Sequence, residues 1–241
     1  MKKLFLRVVL LFGSILALAS GQALAQGGSN AIYQDGLHFF EIEQSAPLPP
    51  GTIEVVEVFS YMCQHCNTFE PFINGWLKRK PENIAFSRIP VVFGRKAWEI
   101  YARAYVTAQM MGIGDAAHAA MMDKLWKEKE IMRSMEELAE FYSGFGVDQS
   151  GFLATSKSFA VDARMRKEQL LTQTFGVRGT PTLVLNGKYR IAGNAAVPSF
   201  DVMLDVLDYL IGIEQDKAKE TTAIDQQAVP ELPGEGTTES S

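Results

Sequence analysis

Cys63 and Cys66 are the only cysteines in the chain, and they stand three residues apart just past a β-branched, apolar run from Ile53 to Phe59. That run, interrupted by Glu54 and Glu57, reads as a buried strand. From the motif towards Lys80 the residues favour a helix, with Pro71 as an expected kink. The pair therefore falls on a strand-to-helix turn. Zinc, a structural disulfide and a redox couple all use cysteines at this spacing. Zinc normally needs three or four ligands, yet the remaining histidines, His38 and His118, lie far from the motif and lack ligand spacing. A disulfide closing so short a loop would constrain the unfolded chain little. The redox couple fits best. At a helix N-terminus, unpaired N–H groups and the helix dipole favour a thiolate on Cys63. His65 can add positive charge or a hydrogen bond. Cys66, one turn further in, is expected to be less exposed and to act as the internal partner.

The rest of the chain frames this turn. Leu37 to Glu43 reads as a short strand, Ala46 to Gly51 as a proline-rich loop, and Ile84 to Ile89 as a second core strand. Ala, Met, Leu, Lys and Glu then dominate, predicting helices near 95–111, 115–129, 134–143, 149–158 and 161–175. Asp115 and Ser134 are candidate N-caps, and Glu137 completes a capping-box pattern with Ser134. The Met and aromatic faces of this block (Met110, Met111, Met121, Met122, Trp126) read as core. Thr182 to Leu185 returns to strand, Asn186-Gly187 is a hairpin signal, and Lys188 to Ala192 is its partner. Pro198 to Ile213 reads as a closing helix. The order predicts an α/β fold, a central sheet with an inserted all-helical block. Residues 214–241 are polar and acidic and are expected to form a flexible tail.

The N-terminus reads as an address. Lys2, Lys3 and Arg7 precede an apolar stretch from Val8 to Ala19, and Ala23-Leu24-Ala25 suits signal-peptidase cleavage after Ala25. Removing those three basic residues and no acidic ones takes the formal charge from −5 to −8. A nucleic-acid-binding surface is not expected of such a balance, and export places the cysteines where disulfides persist.

The stretch Val56-Glu57-Val58-Phe59-Ser60-Tyr61-Met62-Cys63-Gln64-His65-Cys66 resembles the active-site segment of the DsbA family of periplasmic thiol:disulfide oxidoreductases. Val177-Arg178-Gly179-Thr180-Pro181, followed by Asn186-Gly187-Lys188-Tyr189, resembles the family's cis-proline loop and hairpin. The likeness runs from about Tyr33 to Ile213. It implies a thioredoxin-like domain, over 26–94 and 161–213, split by a helical insertion over 95–160. It also implies a cis Pro181 facing Cys63, and Glu57 as a buried acid that takes a proton from Cys66. Thr180 could pair with an extended substrate peptide through its backbone, as in strand addition. Gln64 replaces the proline of the family's best-known motif, and Thr180 the valine of its best-studied members.

The function this implies is a periplasmic dithiol oxidase without metal or cofactor. Its expected partners are unfolded exported proteins with free thiols and a quinone-linked membrane oxidase of the DsbB type, and it is expected to be a monomer. An isomerase or reductase on the same fold is the first rival. The N-terminal segment leaves no room for the dimerisation domain such isomerases usually carry. A non-enzymatic holdase using the apolar surface around Met62 and Pro181 is the second.

Overall fold

The computed structural model describes residues 32–43 and 52–227. The expected signal over 1–25, the loop centred on 46–51 and the end of the chain from 228 lie outside the described residues. The described residues from Tyr33 onward form one compact unit.

Among the described residues five strands make one mixed sheet: β1 (Phe40–Glu41), β2 (Ile53–Phe59), β3 (Ile84–Pro90), β4 (Thr182–Leu185) and β5 (Tyr189–Ala192). Their spatial order is β1-β5-β4-β2-β3. Only β2 and β3 run parallel, joined by the helix α1 (Gln64–Arg79). β2 is hydrogen-bonded on both sides and buried on both faces, with Glu54 alone half-exposed, which is why it reads as a near-continuous apolar run. α1 buries Cys66, Phe69, Glu70, Ile73 and Trp76, the spacing of one helical stripe. It continues through Pro71 to Arg79 as a single helix.

Between β3 and β4 lie α2 (Lys96–Met110), α3 (Gly114–Trp126), α4 (Met135–Ser143), α5 (Gln149–Ser156) and α6 (Phe159–Thr174). Ser134 caps α4 by accepting from Glu137 N–H at 3.1 Å. The return bond of the box is displaced by one residue, Glu137 accepting from Arg133 N–H at 2.6 Å. Asp115 lies inside the first turn of α3 instead of capping it, because its carboxylate is taken by the Gln109 amide at 2.8 Å. Met121 and Met122 are core, whereas Met110 is 46% exposed. The expected boundary at 160 falls in the first turn of α6, which runs unbroken across it. One hydrophobic cluster joins Phe59, Tyr61 and both cysteines to the insertion residues Tyr101, Tyr105, Met121 and Leu138. A second lies between the sheet, α1 and the last helix, α7 (Phe200–Gln227).

Two further expectations need correction. The first strand shrinks to Phe40–Glu41, because residues 34–39 coil on themselves: Gly36 N–H donates to Phe39 O and His38 N–H to Gln34 O. The closing helix starts two residues later than Pro198, with Ser199 Oγ accepting from Val202 N–H, and it does not give way to a tail at 214. Glu214 is buried, and its carboxylate accepts from Asn186 Nδ2 at 2.9 Å, Lys188 Nζ at 2.7 Å and Tyr189 OH at 3.3 Å. That anchor docks the helix on the hairpin, and the Ala, Lys, Glu and Gln beyond it propagate the helix to Gln227. The hairpin itself turns at Asn186 and Gly187, both at positive φ (54° and 62°), as a two-residue turn of this twist requires.

Candidate active site

β2 ends at Phe59 and the chain turns through Ser60, Tyr61 and Met62 into α1. Cys63 N–H donates to Ser60 O at 3.0 Å and Met62 N–H to Ser60 Oγ at 3.2 Å, which fixes the turn. Cys63 is the N-cap residue, extended and without a side-chain cap, so the first amides of the helix are left for its sulfur. Cys63 keeps 8% exposure and Cys66 none, and both are free thiols. Gln64 and His65 are exposed.

The loop before β4 closes the other side. The Thr180–Pro181 peptide is cis, and Cys63 Sγ lies 3.4 Å from Thr180 O. Thr180 is half-buried and Pro181 buried. Residues far apart in sequence thus meet at one sulfur.

The two thiols differ sharply. Cys63 is held down to about 5, chiefly by a hydrogen bond from the Cys66 thiol; burial opposes this, while the Thr180 hydroxyl and the amides of Cys66 and His65 reinforce it. Cys66 is pushed far up, first by burial and then by its hydrogen bond to Cys63 and the Cys63 charge. At neutral pH the reduced pair therefore holds one proton, on Cys66. His65 contributes through its backbone N–H, while its ring faces solvent.

Glu57 is fully buried in the sheet interior, in register with Arg88 of β3. Burial raises its carboxyl to about 7, against the pull of Arg88. Arg88 Nε donates to Glu57 Oε2 at 2.8 Å, and Glu57 Oε1 makes no hydrogen bond among the described residues. A carboxyl balanced near neutrality can give or take a proton. It is close enough for its charge to raise Cys66 further.

Behind this pair lies a cluster that the sequence did not single out. Arg88 Nη2 is 3.8 Å from Glu70 Oε1. Glu70 also accepts from Asn74 Nδ2 at 3.0 Å, and Glu70 Oε1 is 2.8 Å from His118 Nε2. His118 Nδ1 is 3.1 Å from Tyr61 OH, and Trp126 Nε1 donates to Tyr61 O at 2.9 Å. His118, remote from the motif in sequence, is thus brought against it by the insertion. Two signals were available. Arg88 is the one charge in a mainly apolar strand, and Glu70 stands four residues after Cys66 on the same helix face.

The chain is similar to proteins already known. The family model of the DSBA-like thioredoxin domain matches residues 54–205. The thiol:disulfide interchange protein DsbA of Azotobacter vinelandii is 38% identical over 220 residues, covering 90% of this chain and 99% of that protein. The protein of the same name from Pseudomonas aeruginosa is 37% identical over 212 residues, covering 87% and 98%. Among solved structures, Pseudomonas aeruginosa DsbA superposes with a TM-score of 0.70 at 37% identity, over 78% of this chain and 97% of that one. DsbA from Xylella fastidiosa gives 0.71 at 33%, over 77% and 99%. With a dithiol at a helix N-terminus, a cis-proline loop against it and an insertion packed behind, the chain belongs to the DsbA family of thiol:disulfide interchange proteins.

Proposed function

We infer that this protein acts as a dithiol oxidase for exported proteins in the periplasm, reached through a signal cleaved after Ala25. The observation that carries this is the asymmetry of the thiols, Cys63 held near 5 while Cys66 is pushed far up. A stabilised thiolate is a good leaving group, and its stability makes the corresponding disulfide oxidising.

In the oxidised protein a substrate thiolate attacks Cys63 Sγ. The Cys63–Cys66 bond breaks, a mixed disulfide forms, and the electron pair leaves on Cys66. Glu57 gives Cys66 a proton, because a bare thiolate there is strongly disfavoured. A second substrate thiolate attacks the substrate sulfur of the mixed disulfide and expels Cys63 as a thiolate. The substrate departs with its disulfide, and the protein keeps two electrons. Reoxidation by a quinone-linked membrane partner of the DsbB type returns the pair to the disulfide, with Glu57 taking the Cys66 proton back. The backbone of Thr180, ahead of Pro181, is suited to hold an extended peptide beside Cys63. Gln64 and His65 are exposed next to the nucleophile, where they contact that peptide.

Equilibration with glutathione tests this. A potential on the oxidising side of glutaredoxins, above about −200 mV, is expected; one near thioredoxin, about −270 mV, overturns it. Cys63→Ser is expected to abolish disulfide formation in a reduced secreted substrate, and a variant that retains it defeats the enzymatic reading.

A further inference from the structure

Arg88 is shared between two buried carboxylates, and the sharing is unequal. It bonds Glu57 at 2.8 Å and stands 3.8 Å from Glu70. Equal attraction would centre it. His118 holds Glu70 away, its Nε2 2.8 Å from the same Oε1 that faces Arg88, while Asn74 Nδ2 holds only the other oxygen, Oε2, at 3.0 Å. The imidazole is fixed from its other side by Tyr61 OH at 3.1 Å, so it cannot turn without losing both partners. Buried among aromatic rings, it is kept neutral, its pKa lowered mainly by burial. With Nδ1 accepting from Tyr61 the proton lies on Nε2, donated to Glu70. The charged and titratable groups around it are Tyr61 on the active-site turn, Glu70 on α1, Arg88 on β3, Tyr105 on α2, Asp115 on its own helix and, across a shared cavity of about 350 Å3, Arg164 on α6.

We propose that His118 is a positioning residue for proton exchange at Cys66: by holding Glu70 it commits Arg88 to Glu57, and so sets the pH at which Glu57 changes charge. A residue of the helical insertion thereby tunes chemistry in the sheet. The inference rests on Glu57 being the proton partner of Cys66. If His118 releases Glu70, that carboxylate draws Arg88 towards itself. Glu57 then loses part of the hydrogen bond that favours its charged form and titrates at higher pH.

The two ring nitrogens can be separated by substitution. An asparagine amide reaches the position of Nδ1, at Tyr61, whereas a glutamine amide reaches that of Nε2, at Glu70. The titration of the Glu57 carboxyl carbon, followed by NMR in the oxidised protein, is expected to move up by about half a pH unit or more in His118→Asn. In His118→Gln it should stay at the native midpoint. Equal midpoints in the two variants, or a downward move in His118→Asn, overturn the proposal. Should His118→Asn not fold, Glu70→Gln takes its place. Removing the carboxylate that competes for Arg88 should lower the Glu57 midpoint, and an unmoved one overturns the proposal. Glu57→Gln separates the underlying reading. If that variant oxidises a dithiol peptide with the native pH profile, Glu57 is not the proton partner and both ideas fall. If its profile changes while the two His118 variants titrate together, only the role of His118 falls.

Discussion

Replacing Cys63 by serine in the dithiol form removes a thiolate that the fold stabilises and leaves a side chain of nearly the same shape. The folded value near 5 lies below the ordinary thiol value of 9.0, so ionisation favours the folded state. That contribution is complete above pH 9, is reduced to the interval between 5 and 7 at neutral pH, and vanishes as pH falls through 5. The interval is worth at most about 2.7 kcal/mol at pH 7. Solvent reaches part of the sulfur, and screening brings the expected figure to about 1–2 kcal/mol. Between pH 4 and pH 7 Cys66 is protonated in both folded and unfolded states and adds nothing. Urea melts of the reduced native protein and of Cys63→Ser at pH 7 and pH 4 read the effect. The variant should be less stable by about 1–2 kcal/mol more at pH 7 than at pH 4. Packing changes and the titration of Glu57 occur in both comparisons and cancel to first order. A stability difference that is the same at the two pH values would refute a thiolate held by the fold.

Three further outcomes follow from the same contacts. Thr180→Val removes the hydroxyl that reinforces the Cys63 thiolate, so the thiolate absorbance should titrate upward by about half to one pH unit, and the protein should become less oxidising. Arg88→Met leaves Glu57 and Glu70 buried without their shared cation, with an expected loss of about 3–5 kcal/mol in a denaturant melt. Glu214→Ala frees Asn186, Lys188 and Tyr189 from their common acceptor and should cost about 1–3 kcal/mol, with hydrogen exchange accelerating first in the C-terminal part of α7.

How much of this was legible in the chain depended on the range of the interactions. The β2 strand, the start of α1 and the hairpin turn are written in neighbouring residues: an apolar run, helix formers, and Asn186-Gly187, which accept the required backbone. The two motif segments also announced which residues would meet at Cys63, and Thr180 O does lie against its sulfur. The extent of α7 was hidden because nothing in its polar end shows an apolar period; the helix is held by Glu214, whose partners sit on the hairpin. The first strand was overread because its backbone bonds are spent locally. The charge cluster escaped for a different reason. Glu57 was read through the resemblance, but its companions Glu70, Arg88 and His118 come from three further elements that only the fold brings together. Only burial and register reveal them as one group.

The way the insertion grips Tyr61 bears on modularity. By topology the sheet and the helical block are separable, since the block enters after β3 and leaves before β4. By packing they are not. Trp126 holds the main chain of the active-site turn, and Phe59, Tyr61 and both cysteines share a core with the insertion helices. A shortened protein with residue 94 joined to 161 would retain its strands but strip the walls from the dithiol. Such a remnant would be expected to keep the motif and lose its tuned reactivity. The insertion is therefore a constituent of the redox centre, and the two parts can change only together.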